Sequence, residues 1–258
     1  MRRPGWVPVQ HGAWAMLVVP FAAGLLLRAR DAAAAGPWLA TLVAFWMLGY
    51  FAFNAASTWL KAAPARRPGF VAPLATYAAA SGAFGLASLA LAGWPILGWV
   101  PAYTVLLVPA LVLAARRRER ATLGGALTTA AASMMALVVR FPTASEVLTW
   151  TPPVRSAVVV ATLVFAYFFG TVLYVKTNIR ERGSATFYRA SVAWHAAWTA
   201  LAALGIALGA APAWAFLFAA ATARAAVVPR LPRRPTPRTI GLVEVAFCVA
   251  ALLIVGLA

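Results

Sequence analysis

Acidic residues are nearly absent from this chain: five in 258, against 22 basic ones. Charge of either sign is scarce as well, at 10% of residues, where a soluble domain carries about 25%. So little charge cannot cover a water-exposed surface, which excludes a soluble globular enzyme and a disordered tail. Cysteine occurs once, as Cys248 inside an apolar run. That excludes a disulfide-framed secreted scaffold and a cysteine-based metal site. What the chain has in abundance is apolar: 64% of residues are hydrophobic and the mean hydropathy is +0.84. These values describe a membrane protein.

A helix rises about 1.5 Å per residue and the hydrocarbon core is about 30 Å thick, so one span needs about 20 residues. Against that length, the stretches free of charge at 4–27 and 32–60 read as one span each. The uncharged stretch 70–115 is too long for one span, and Gly93-Trp94-Pro95 divides it into two. Single spans follow at 121–139 and 156–175; 190–223 is halved at Gly209-Ala210-Ala211-Pro212, and 239–258 is the last. All nine are expected to be helices, because open sheet edges go unsatisfied in lipid. No linker or second composition regime interrupts them, so 1–258 reads as a single transmembrane domain.

The basic residues alternate between the two sets of connections. One set carries 18, in clusters such as Arg116-Arg117-Arg118 and Arg230–Arg238. The other carries four: Arg28, Arg30, Arg140 and Arg155. Cationic loops stay in the cytoplasm, so the amino terminus is expected inside and the carboxyl terminus outside. The net charge of +17 is thereby a topology signal, and no nucleic-acid partner is expected. The first segment reads as a retained helix rather than a cleaved leader. Twenty arginines against two lysines, with much alanine and glycine, point to a GC-rich bacterial genome. The expected location is the bacterial cytoplasmic membrane.

Polar groups in or beside spans are where function is sought. They gather at the expected cytoplasmic ends, within about 10 Å of that face by helix rise. Gln10 and His11 open the first helix; Asn54 and Thr58 precede Lys61; Lys176, Asn178, Arg180 and Glu181 close the sixth; His195 lies about two turns into the seventh. The opposite ends carry no comparable group. His11 and His195 are the candidate bases, and Asn54, Lys61, Arg66, Lys176, Asn178 and Arg180 the candidate substrate contacts. Two histidines without nearby carboxylates make a poor metal site. Glu244 is the one acid well inside a span. Arg224 and Glu244 lie equally far from the proline-rich turn between the last two helices, so they are expected to form a structural ion pair.

Two segments carry a family resemblance. Gln10-His11-Gly12-Ala13-Trp14-Ala15-Met16-Leu17, with Pro20 after it, resembles the opening signature of the YwiC-like bacterial membrane proteins. Val175-Lys176-Thr177-Asn178-Ile179-Arg180-Glu181-Arg182, with Ala193-Trp194-His195 beyond, resembles that family's second signature. More distantly, the plan is similar to that of the UbiA-type intramembrane prenyltransferases. Those enzymes close helices two and six with Asp-rich motifs that hold magnesium on an isoprenoid diphosphate. Asn54 and Arg66-Arg67-Pro68 match the edges of the first motif, but Ala55, Thr58 and Ala62 stand where its acids would be. At the second motif, Glu181 is the only carboxylate, between Arg180 and Arg182.

The fold this implies is an all-α polytopic membrane helix bundle of nine transmembrane helices in a UbiA-like arrangement. The function it implies is a basic, cytoplasm-facing cavity for a lipid-linked phosphate, isoprenoid or similar amphiphile. If the chain is an enzyme, it is a divergent prenyl or lipid transferase lacking the magnesium motifs, and no cofactor is expected. The other readings are a non-catalytic binder or transporter of a lipid, quinone or anion, and a structural membrane protein. Membrane lipids are the expected partners.

Overall fold

Proline begins four of the described helices, and glycine stands in two of the breaks between them. The computed structural model describes residues 5–8, 13–118, 121–232 and 235–257, which include nine long helices and no strand. They are α1 (Ala13–Arg30), α2 (Trp38–Lys61), α3 (Pro68–Ala92), α4 (Val100–Ala115), α5 (Thr122–Arg140), α6 (Pro152–Ile179), α7 (Ala185–Ile206), α8 (Pro212–Val227) and α9 (Pro237–Leu257). Pro68, Pro152, Pro212 and Pro237 each occupy the first helical position, where a missing N–H costs no hydrogen bond. Gly93 and Gly209, both at φ near +86°, sit in the breaks that divide the two longest uncharged stretches. Eight helices are long and apolar enough to cross a membrane, counting α4 from Trp94 and α8 to Arg230. The chain is a multi-pass membrane protein.

α7 is the helix that falls short of that standard, because Arg189 and His195 lie within it. It also starts at Ala185, five residues before the expected start of the span. His195 is therefore ten residues along the helix, about 15 Å from its beginning. That is deeper than the two turns expected, because a charge-free stretch misses the first turns of a helix when they carry charge.

The chain forms two compact units, 1–158 and 159–258. In the first, α1 and α2 run antiparallel: Trp46 Nε1 donates to the Leu17 carbonyl at 3.1 Å, and Trp14 meets Phe51 edge to face. α3 returns along α2, with the Ser81 hydroxyl donating to the Phe45 carbonyl (3.1 Å) and Ser88 to Thr41 (2.9 Å). α5 lies along α1 in the same direction. Gly24 makes this pairing possible, since a Cβ there would fall 2.6 Å from Val139 Cβ and 2.7 Å from the Ala136 carbonyl oxygen.

One turn beyond Gly24, Arg28 is buried and its guanidinium caps the end of α5. Nη1 donates to the carbonyls of Val139 (3.1 Å) and Arg140 (2.9 Å), and Nη2 donates to Ala34. These are carbonyls that the last turn of a helix leaves without an intrahelical partner. Arg140 replies across the same gap, its Nε 2.7 Å from Asp31 Oδ2. Polar groups thus gather at an end where the sequence reading expected none.

In the second unit, α6 and α7 are antiparallel: Trp194 Nε1 donates to the Ala166 carbonyl at 2.9 Å, and Thr177 Oγ1 donates to the Phe187 carbonyl at 3.3 Å. α8 returns along α7 through the Thr199–Thr222 hydroxyl pair (2.8 Å) and Tyr188 Oη, which donates to the Ala226 carbonyl (3.1 Å). α9 joins α8 through Arg224 and Glu244.

The α1–α5 contact yields a test. Gly24→Ala should destabilise the protein by about 1–3 kcal/mol, the usual cost of overpacking, because both opposing atoms are held by α5. Gly82→Ala, with open space around it, should change stability little. Unfolding of the two variants in mixed micelles checks this, and equal stability would mean that α1 and α5 are not in close contact.

Candidate functional site

Glu244 on α9 faces two helices rather than one. Its Oε1 accepts from Arg224 Nη1, while Oε2 accepts from Tyr167 Oη at 2.8 Å and Thr171 Oγ1 at 2.9 Å. The pair is well enclosed, with side-chain exposures of 6% for Arg224 and 14% for Glu244. The guanidinium lies over the rings of Tyr174 (4.3 Å) and Phe247 (4.6 Å). An unpaired carboxylate in an apolar layer costs several kcal/mol. Here it has a cation and two hydroxyl donors, and α6, α8 and α9 are tied at one level. Sequence reasoning missed Tyr167, Thr171 and Tyr174. Their signal is spacing: with Asn178 they form a polar stripe at intervals of four, three and four on an otherwise apolar helix.

His195 is buried against the same part of α6. Its Nδ1 donates to the Ser191 carbonyl at 2.7 Å, and its Nε2 lies 2.7 Å from the place a Gly170 Cβ would occupy. Only glycine leaves room for the imidazole there.

The basic end of α6 lies about two turns further on. Lys176, Thr177 and Asn178 are buried, whereas Arg180 and Arg182 are exposed. The Lys176 ammonium stands 5.7 Å from the Phe187 ring, and Asn178 Nδ2 donates to the Tyr174 carbonyl at 2.9 Å. Arg182 Nε caps the helix by donating to the Asn178 carbonyl. Gly183, at φ +87°, turns the chain, and the Ser184 hydroxyl then accepts from the Phe187 amide as the N-cap of α7. Beside this turn is a cavity of about 170 Å³, lined by Thr177, Gly183, Ser184, Ala185, Tyr188, Pro229 and Arg230. Arg230 rests over the Tyr188 ring at 4.7 Å.

The remaining candidates belong to the first unit or lie outside the described residues. Asn54 is half-buried on α2, and its carbonyl accepts from Thr58 Oγ1 at 2.8 Å. Lys61 ends that helix, half-buried, while Arg66 is exposed. Its neighbour Arg67 is the one that folds back, over Trp59 (4.9 Å). Gln10 and His11 lie outside the described residues. Lys176, Asn178, Arg180 and His195 all belong to the second unit. Among the described residues no three of His, Cys, Asp and Glu come together as a metal-binding group.

The family profile described as YwiC-like protein matches residues 7–140. The match contains the Gln10–Leu17 segment and ends before the 175–182 segment. No curated protein and no solved structure matches the chain.

The ion pair can be tested by removing its members singly and together. Arg224→Leu or Glu244→Leu alone should destabilise by about 3–5 kcal/mol, because each strands a buried charge. The double leucine variant should recover much of that loss. Costs that simply add, measured by unfolding in mixed micelles, would show that the two side chains contribute independently.

Proposed function

The chain belongs to the YwiC-like family, and from that premise we propose that it is a membrane-embedded receptor for an amphiphile with a phosphate-type head group. The observation that carries this reading is the cavity beside the basic end of α6. A volume of about 170 Å³ is below the roughly 300–1,000 Å³ of a pocket that encloses a whole small molecule. It suits a head group whose hydrocarbon tail stays in the bilayer.

The lining suits an anion. Arg230 offers a planar fork that matches phosphate oxygens, and Ser184 and Ala185 place the start of α7, with its partial positive charge, in the lining. Lys176, Arg180, Arg182 and Arg189 lie on the adjoining turns with Glu181 as the only acid between them. Asn54, Lys61 and Arg66 form a second cationic helix end, in the first unit, suited to the same headgroup chemistry.

This reading is binding without transfer. A UbiA-type reaction needs carboxylates to hold magnesium on a diphosphate, because that ion prefers hard oxygen ligands in an octahedron. One glutamate flanked by two arginines does not fit it. Of the two candidate bases, His195 is the one among the described residues, and it packs against Gly170, about 10 Å along α6 from the Thr177 wall of the cavity. The arginines would neutralise the head group directly through charge-assisted hydrogen bonds.

The test compares farnesyl phosphate with its neutral dimethyl ester, using the protein in detergent and native mass spectrometry of retained lipid. The phosphate should be retained and the ester lost. Arg230→Glu should weaken retention at least tenfold, a difference of about 1.4 kcal/mol. Equal retention of the two lipids, or an Arg230→Glu variant that binds normally, would overturn the reading.

A further inference from the structure

The second unit holds four polar groups, each more than nine-tenths buried, with atoms that have no hydrogen-bond partner. Three of these groups meet at one level. His195 is 1% exposed, Ser191 1% and Arg224 8%. The atoms in question are His195 Nε2, Ser191 Oγ, and Nε and Nη2 of Arg224. The fourth group, Asn178, contributes Oδ1 further along α6.

Contacts between the helices fix the level. On α6, Gly170 touches His195, so Tyr174, one turn on, falls beside Ser191 in the antiparallel α7. On α8, the Thr222–Thr199 and Ala226–Tyr188 contacts bracket Arg224 in level, which places it at the depth of Ser191 and His195 on α7. Arg224 also rests on the ring of Tyr174. The groups thus surround one turn of α6, spanning about 6 Å of rise.

Their chemistry is complementary. The Ser191 carbonyl can only accept, so His195 Nδ1 carries the proton and Nε2 presents a lone pair. Arg224 rests over the rings of Tyr174 and Phe247, and Nη1 is taken by Glu244, which leaves Nε and Nη2, neighbours on one edge of the guanidinium, without partners. Two donors and one acceptor therefore stand around a single turn. An anion is the wrong occupant, since Arg224 and Glu244 already neutralise each other and a further negative charge would be buried uncompensated.

We infer that this level is a binding site for one neutral hydroxyl oxygen, which accepts from the Nε–Nη2 edge of Arg224 and donates to His195 Nε2. Where the occupant is water, Ser191 Oγ accepts its second proton. Water has this chemistry, and so does the alcohol head of an apolar molecule entering from the bilayer. The occupied site joins His195 to Glu244 and Tyr167 through one continuous hydrogen-bonded chain across α6, α7, α8 and α9.

The experiment uses full-length protein labelled with ¹⁵N-histidine, reconstituted in liposomes and studied by solid-state NMR, with His11→Gln assigning the two histidines. His195 Nε2 should resonate as an unprotonated nitrogen that accepts a hydrogen bond. Arg224→Lys keeps a cation for Glu244 but removes the bidentate edge, and should shift that resonance to the position of a free acceptor. Polarisation transfer from exchangeable water would identify water as the occupant. Transfer from lipid protons, with an alcohol found by mass spectrometry of the extract, would identify an amphiphile. A free-acceptor Nε2 in the unsubstituted protein, a protonated Nε2, or a resonance indifferent to Arg224→Lys would overturn the site.

Discussion

A guanidinium held away from water must find acceptors within its own reach, and that requirement decides which helices can stand beside it. Among the described residues, each unit of this protein has one such buried arginine. Arg28 meets the requirement with backbone, bonding the carbonyls that α5 leaves exposed at its end. Arg224 meets it with a side chain, the Glu244 carboxylate. The two solutions differ in what they fix. Carbonyls at a helix terminus fix where one helix stops relative to another. A carboxylate with two further donors fixes the level and the facing side of three helices at once.

Small residues make room for both. Gly24 lets α1 approach α5 closely enough for Arg28 to reach the terminal carbonyls one turn later, and Gly170 lets the His195 ring lie against α6. Lipid tails are as apolar as leucine, so packing between membrane helices rests on close approach and hydrogen bonds rather than on apolar burial. Glycine and a buried polar group are therefore partners in this fold: the first sets the distance at which the second can bond.

The membrane-spanning segments are legible in the sequence because lipid demands long apolar runs, and the proline and glycine breaks mark where those runs divide. The level shared by Arg224 and Glu244 follows from a hairpin, in which equal distance from the turn means equal depth. The hydroxyls of Tyr167 and Thr171 are harder to read, since such groups are common on apolar helices and often bond only to their own backbone. Arg28 is hidden by its position at the end of a run, where an arginine looks like a loop charge. The depth of His195 is hidden by Arg189, which lies inside the helix although it interrupts the uncharged stretch. The cavity by Arg230 joins segments some 50 residues apart in the chain, a proximity that local pattern does not encode.

The position of Glu244 on the last helix has a consequence for biogenesis. A chain entering the membrane from its amino end delivers α8 before α9, so Arg224 arrives before its carboxylate exists. A lone guanidinium in the hydrocarbon layer is costly, and its long side chain can reach the headgroup region only from near a helix end. Arg224 is three residues from the end of α8, close enough to wait at that boundary. The two helices are thus suited to enter the bilayer as a pair, with neutralisation completed at the moment the second one folds in. An arginine placed a further two turns inward would have had no such refuge during synthesis.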